Sequence, residues 1–527
     1  MPSRASEVTL CAGGNVADYD VIVVGAGIAG SVCANYLARE GKRTLLLEQN
    51  HQAGGNMSGF TRRGFTFDAG DQSFESLGIV FPILEDLGVY DQQDWIKCRY
   101  RMVSEDFDFF IDSIDAVEDA LRTAFPREPG FGQLFAEIRE VSRFLDRVYT
   151  PRSFPLLHDF HPARAARAIL PWLPRLKRWS TFRYREKACS LIQDKRLRHW
   201  LTNIGYYRMP YLFFAGFWHL WSSDYWYPAG GMQAFHNRLV DAYTGSGGEV
   251  RFNTRVARIR DSASREVVVT TAEGMEISAS KVIYAGDYRA LVDSIIGPEQ
   301  FGAPLVGRLR DTRLTEGLVS VYLGLDMDDE ELSRILGGAH HPFYFPNYEV
   351  IFPDENSPEA VHRDMWVALN HFGPRSVSAP PGKSTLTVQT YSSWSWQKYW
   401  RNGGDSFPRT QEYRELKERV GYELVGTAEQ LVPGLRNRIE FMDVGSPLSL
   451  KRFTLNSEGS SGGWCYDDQV SPVFRFPGLN RIRTPLRNVY ACGHYALWPG
   501  GVISAVQCGR IVANLASGKK ILAPLGS

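Results

Sequence analysis

Gly25, Gly27 and Gly30 stand in the pattern G-x-G-x-x-G, and Glu48 follows Gly30 by eighteen residues. Between a strand and a helix, such glycines divide the labour of gripping a dinucleotide. The first makes a tight turn, the second lets backbone approach a pyrophosphate, and the third lets helix and strand pack closely. The helix N-terminus behind them offers free N–H groups and partial positive charge to the phosphates. An acid at the end of the next strand suits the ribose hydroxyls.

The surrounding pattern supplies the required elements. Tyr19 to Val24 reads as a buried parallel strand, Ile28 to Glu40 as a helix ended by Gly41, and Arg43 to Glu48 as a second strand. A glycine-rich turn in an unrelated α/β protein would lack the acid in register. Gly25, Ala26, Gly27, Ile28, Ala29, Gly30, Glu48 and Gln49 are therefore the expected phosphate and ribose site. The uncharged run Val21 to Ala38 is long enough to cross a bilayer, but three glycines split it into strand, turn and helix. No second G-x-G-x-x-G follows a strand, so a second, dedicated nicotinamide-binding domain is not expected.

Three further segments extend the pattern. Gly54, Gly55 and Asn56 follow Glu48 closely, and Phe67-Asp68-Ala69-Gly70 comes soon after. Tyr227-Pro228-Ala-Gly230-Gly231-Met232 opens a helix in mid-chain. Near the C-terminus, Asn488 to Arg510 holds Gly493-His494-Tyr495 and Trp498-Pro499-Gly500-Gly501-Val502. These segments, with Phe125-Pro126-x-Glu128, resemble the phytoene desaturase, carotenoid isomerase and retinol saturase family of FAD enzymes. The likeness touches both ends and the middle, about a third of the chain.

That resemblance implies an α/β fold with a glutathione-reductase-type FAD-binding Rossmann domain built from discontinuous segments. An inserted substrate domain with an antiparallel sheet and a helical lid would complete it. The expected division is a disordered tail at 1–17, an FAD domain from 18–105, 227–312 and 445–527, a lid at 106–226 and a substrate domain at 313–444. FAD is the expected cofactor. Gly54, Gly55, Asn56, Val256, Ala285, Gly493, Gly500, Gly501 and Val502 join its contacts, with Val256 at the position whose backbone meets adenine. Physically, Gly500 and Gly501 would let backbone approach a flat ring, with the next helix stabilising negative charge on it. Asn56 departs from the expected arginine, and Asp71 stands where phytoene desaturases carry proline. Asp71 and His494 are the candidates for handling a proton.

The expected substrate is an apolar isoprenoid or polyene lipid undergoing desaturation, saturation or cis–trans isomerisation. Oxygen, a quinone or a reduced nicotinamide would be the electron partner. Met209 to Trp221 is almost wholly apolar and reads either as core or as a tunnel wall, with Phe213, Phe217, Trp218 and Trp498 as substrate contacts. An amine oxidase or a flavin-free lipid carrier of the same fold are the alternatives; the intact glycines disfavour the carrier.

Between Arg152 and Trp200, twelve Lys and Arg face three Asp and Glu, interleaved with aromatics and leucines. That composition suits either a solvated lid or peripheral contact with an anionic bilayer. Overall, 59 basic residues balance 59 acidic ones, with 44% apolar and 13% aromatic residues. This excludes a disordered chain and a nucleic-acid binder working by bulk charge. Seven scattered cysteines without a C-x-x-C give neither a disulfide framework nor a metal cluster. A reducing, cytoplasmic compartment is expected, and Met1 to Ala17 read as a loose tail and not a signal peptide.

Overall fold

A computed structural model describes residues 17–70, 72–148, 162–262, 266–353, 357–400, 410–466, 482–498 and 501–519. Nearly all of the expected tail, Asp71, Pro499 and Gly500 lie outside the described residues.

The opening β–turn–α–β unit folds as its pattern requires. Strands Tyr19–Val24 and Thr44–Leu47 pair in parallel, flanking helix Ile28–Arg39. Both strands bury Val, Ile and Leu, as expected for a sheet covered on two faces. The first sheet runs Glu249–Arg251, Thr44–Leu47, Tyr19–Val24, Glu276–Tyr284, Val267–Thr271, Val256–Asp261, with Val489–Ala491 also on Glu276–Tyr284. The pairs around Tyr19–Val24 are parallel; the hairpin at its far side is antiparallel.

The sequence pattern predicts one strand from Glu249 to Ile259, and two separate strands at Met275 to Ala279 and Lys281 to Ala285; the structure corrects both. The strand read from Glu249 to Ile259 is broken, because Asn253 takes a positive φ of 52°. There the chain crosses to the Glu48 turn, where Asn253 N–H donates to the Asn50 carbonyl and Thr254 N–H to that of Glu48. Conversely, the separate strands read at Met275 to Ala279 and Lys281 to Ala285 are one strand, Glu276–Tyr284. Its first half pairs with the hairpin and its second half with Val489–Ala491.

The second sheet runs Ile439–Gly445, Gly317–Leu325, Ser384–Ser392, Val367–Asn370, His341–Phe345, Tyr100–Ser104, Asp108–Phe110. Its strands are antiparallel except where His341–Phe345 meets Tyr100–Ser104. Residues 100–110 thus hydrogen-bond into this sheet and not the first. Helix Gln411–Ala428 covers it through Tyr413, Leu416, Val420 and Leu424, which fall on one face by their three- and four-residue spacing.

A helical insert runs from Ile114–Ala124 to the aromatic helix Tyr211–Ser223. Glu128, from the Phe125-Pro126-x-Glu128 motif, staples it. Its buried carboxylate accepts N–H groups from Gly130, Gln193 and Asp194, joining two loops. Arg185 is fully buried with no carboxylate among the described residues in hydrogen-bond reach; its guanidinium donates to the carbonyls of Leu201 and Ile204 at a helix end.

Candidate functional site

The glycines hold the geometry their spacing implies. Gly25 has φ +100° and donates its N–H to the Leu47 carbonyl. A Cβ on Gly30 would drive into the Gly25 carbonyl oxygen, so the third glycine serves helix–strand packing. A Cβ on Gly27 would meet nothing within 4 Å; it faces an open cradle at the helix N-terminus. That helix has no side-chain cap and no acid in its first turn, leaving its N–H groups and dipole for an anion.

Glu48 divides its carboxylate. Oε2 accepts from Ala26 N–H at 2.8 Å, and Oε1 from Asn50 N–H at 2.9 Å. Burial pushes its pKa up, opposed by these hydrogen bonds. The acid therefore fixes the loop as well as lining the cavity in front of it. Gly54 and Gly55 reach the same place, with Gly54 N–H donating to the Ala26 carbonyl at 3.0 Å.

Two motifs read separately in the sequence prove to be one joint. Asp68 Oδ2 accepts from Tyr227 Oη at 2.6 Å, and Oδ1 from Met232 N–H at 2.9 Å. Asp68 thereby caps the helix that Gly230 and Gly231 open, and burial lifts its pKa to about 6. A Cβ on Gly70 would collide with the Asn56 carbonyl oxygen, so this joint presses against the glycine loop.

These elements enclose a cavity of about 590 Å³. Of the anticipated cofactor residues, Gly25, Gly27, Ile28, Ala29, Glu48, Gln49, Gly54, Gly55, Asn56, Val256, Ala285, Gly493, Gly501 and Val502 line it. Ala26 and Gly30 sit behind this lining, and Gly500 lies outside the described residues. The cavity runs from Val256 to the N-terminus of the closing helix Gly501–Ala516, so both chain ends contribute. The size, the open cradle and the capless helix fit a dinucleotide. The buried Asn56 Oδ1 and His494 Nε2, both without a partner among the described residues, add polar atoms for it to meet.

His494 lines this cavity beside Tyr495, their rings 4.7 Å apart. Burial depresses its pKa to about 4, so it is neutral at physiological pH. Asp71, the other proton candidate, lies outside the described residues.

A second cavity of about 210 Å³ adjoins the first, and Tyr206 and Ser461 line both. Phe217 and Trp221 of the aromatic helix face it, stacked at 5.1 Å and 8°. Trp218 points instead into the core, fully buried against Trp200 and Trp221. Phe213 packs 6.1 Å from Trp498 and 5.0 Å from Tyr466, outside this lining. The aromatic helix is therefore core on one side and wall on the other.

Sequence reasoning missed the opposite wall: Tyr100, His341, Phe343, Trp366, Asn370, Gln389 and Tyr391. All but Trp366, which directly precedes strand Val367–Asn370, come from strands of the second sheet, whose alternation is visible but whose facing cavity is not.

Fold and site together define a flavin-dependent oxidoreductase. The chain belongs to the flavin containing amine oxidoreductase family, whose signature spans residues 28–516. It is 24% identical to the all-trans-retinol 13,14-reductase of Danio rerio over 539 aligned positions, covering 94% of this chain and 86% of that protein. It is 25% identical to the lycopene-forming phytoene desaturase of Pseudescherichia vulneris, covering 81% and 85% respectively. Among solved structures, a putrescine oxidase carrying two substitutions superposes with a TM-score of 0.61 at 16% identity, covering 95% of this chain and 99% of that one. That last likeness is one of fold.

Proposed function

We propose that this chain removes, adds or shifts a C=C bond in an apolar isoprenoid or polyene lipid, using FAD in the larger cavity. The observation that carries this reading is the largely aromatic second cavity beside the first, with Tyr206 and Ser461 lining both. FAD, when bound, supplies hydride transfer and cycles between oxidised and reduced states. The chain's own residues would do the rest. The Gly25–Gly30 loop and helix Ile28–Arg39 would hold the phosphates, and Glu48 the ribose. Val256 would meet the adenine, while the N-terminus of helix Gly501–Ala516 would stabilise negative charge on the ring. The aromatic walls would exclude water and orient the double bond. His494, neutral at the ring end, could accept or donate a hydrogen bond; Asp71 is kept as the other proton candidate.

Amine chemistry is the weaker reading. Among the described residues that line the second cavity, none is an aspartate or glutamate that would hold an ammonium. The organisation we favour is a cofactor domain from 18–105, 227–312 and 445–527, with lid 106–226 and substrate domain 313–444. Strands 100–110 would be shared with the latter. An external electron partner, oxygen, a quinone or a reduced nicotinamide, closes the cycle.

Anaerobic mixing with candidate polyenes tests the proposal. Bleaching of the oxidised flavin band marks a desaturase, and reoxidation of chemically reduced flavin a saturase. Conversion of a cis polyene to the trans form without net flavin change marks an isomerase. None of these with any polyene, alongside rapid bleaching by a primary amine, would sink the reading.

We further infer peripheral membrane contact through the insert. Leu170 and Leu173 are 60% and 40% exposed, beside Pro171 and Pro174 and the exposed Arg167. No helix among the described residues is long and apolar enough to span a bilayer. Part of the basic excess is consumed in ion pairs, Arg175 with Glu140 and Arg178 with Glu137. Co-sedimentation with anionic vesicles should be lost in the L170D/L173D double variant. Equal sedimentation of variant and parent would reject the contact.

A further inference from the structure

Residues 451–462 line the larger cavity from the Glu48 turn, where Phe453 sits, to Ser461, which lines both cavities. None of them belongs to the glycine motifs. Both ends of this segment spring from the second sheet. It follows strand Ile439–Gly445 through helix Pro447–Thr454. At its far end Ser461 N–H donates to the Glu316 carbonyl at 3.2 Å and Gly462 N–H to Thr315 Oγ at 2.8 Å, just before strand Gly317–Leu325.

Its middle is fastened across the cavity to the loops of the first sheet. The Phe453 carbonyl accepts from Gln49 Nε2 at 3.1 Å and Asn50 Nδ2 at 2.9 Å. Asp287 is 1% exposed; its Oδ2 accepts from Ser457 N–H at 2.7 Å and its Oδ1 from Ser457 Oγ at 3.1 Å. Arg289, itself held by the Leu309 and Thr312 carbonyls, pairs with Glu458 at 2.6 Å. Asn56 Nδ2 donates to the Ser461 carbonyl at 2.9 Å. Gln49 and Asn50 follow Glu48, Asn56 follows Gly55, and Asp287 and Arg289 follow Ala285. The loops that line the cofactor cavity are thus the loops that hold the segment down. Leu455 and Glu458 take φ of 60° and 58°, left-handed conformations that non-glycine residues adopt only where their surroundings impose them. Letting go relaxes both, which offsets part of the hydrogen bonding lost.

We propose that residues 451–462 are a strap that gates exchange of the dinucleotide, and that Asp287 and Arg289 are the positioning residues that keep it shut. FAD enters and leaves when Ser457 and Glu458 release them. This rests on FAD in the larger cavity and is independent of the substrate. A gate and a plain wall differ in kinetics. A fastening that must break for both entry and exit raises both barriers alike and leaves affinity nearly unchanged, whereas a lost wall contact speeds dissociation alone.

Rates of FAD binding and release by the full-length protein provide the test, without turnover. Association is followed as flavin fluorescence changes on mixing FAD with the apoprotein. Dissociation is followed as the holoprotein gives up FAD to an excess of a second, tightly binding apoflavoprotein. In S457A/E458A both rates should rise about tenfold or more, the scale of the fastenings removed, with Kd within about threefold of the parent's. E458Q, which keeps a hydrogen bond to Arg289, should fall between the two. E458A alone, at a side chain 43% exposed, carries the same test should the double variant fail to fold, and thermal midpoints of the apoproteins certify each. Faster dissociation with unchanged association would make the strap a wall and overturn the gate. Unchanged rates in both directions would overturn it too. A well-folded parent that takes up no FAD would instead overturn the cofactor assignment on which the proposal stands.

Discussion

At the scale of single residues, the second and third roles of the glycine motif separate cleanly. Gly27 has ordinary helix-entry dihedrals, φ −69° and ψ 175°, and open space where a Cβ would stand. Gly30 has no such space. Gly27→Ala should therefore fold with stability changed by less than about 0.5 kcal/mol while its new methyl obstructs the phosphate cradle. Its ratio of flavin absorbance to protein absorbance should fall severalfold. Gly30→Ala should instead lose several kcal/mol, because backbone must move to relieve the collision. Thermal melts of both apo variants, read with flavin content, check the contrast. If G27A kept full flavin, the cradle would be misassigned. Glu48 adds a point that its spacing could not reveal: half of its carboxylate is committed to Ala26 N–H, so the acid shapes the loop it serves.

At the scale of elements, legibility followed the range of the forces. Strand Tyr19–Val24, helix Ile28–Arg39 and helix Gln411–Ala428 were readable because their burial is set by local apolar spacing. The break after Arg251 was not, since it depends on hydrogen bonds from Asn253 and Thr254 to a turn two hundred residues away. The same limit hid the fusion of two short runs into Glu276–Tyr284, where pairing on both edges overrides the weak turn signal. Asp68 and the Tyr227–Met232 segment were each visible as motifs, yet their union is tertiary. The aromatic helix was legible as apolar but not as two-sided: Phe217 faces a cavity and Trp218 the core, one residue apart. The cofactor cavity could be read from both chain ends because glycine spacing encodes it. The second cavity could not, because its far wall is a register of strands.

At the scale of the whole molecule, buried histidines set the response to acid. Burial depresses His236, His362 and His494 to about 4 and His341 to about 3. An unfolded histidine titrates near 6.5. Between that pH and about 4 the unfolded chain takes up protons that the native state refuses, so stability is full above 6.5 and lost on acidification. Asp68 and Asp329, raised to about 6, act in the opposite sense, since the native state holds their protons over much of the same window. The histidines outnumber them, and the thermal midpoint should fall from pH 7 to pH 4.5.

One residue isolates the effect. His236 is 0% exposed, and neither ring nitrogen has a partner among the described residues. Replacing it with phenylalanine changes packing by an amount independent of pH, but removes the proton uptake of the unfolded state. The H236F variant should thus gain about 2 kcal/mol relative to the parent on going from pH 8 to pH 5, whatever its offset at pH 8. Denaturant melts of both proteins at the two pH values measure that double difference directly. A value near zero would mean that the His236 imidazole is protonated in the native state, and that water or an anion reaches a place the packing closes.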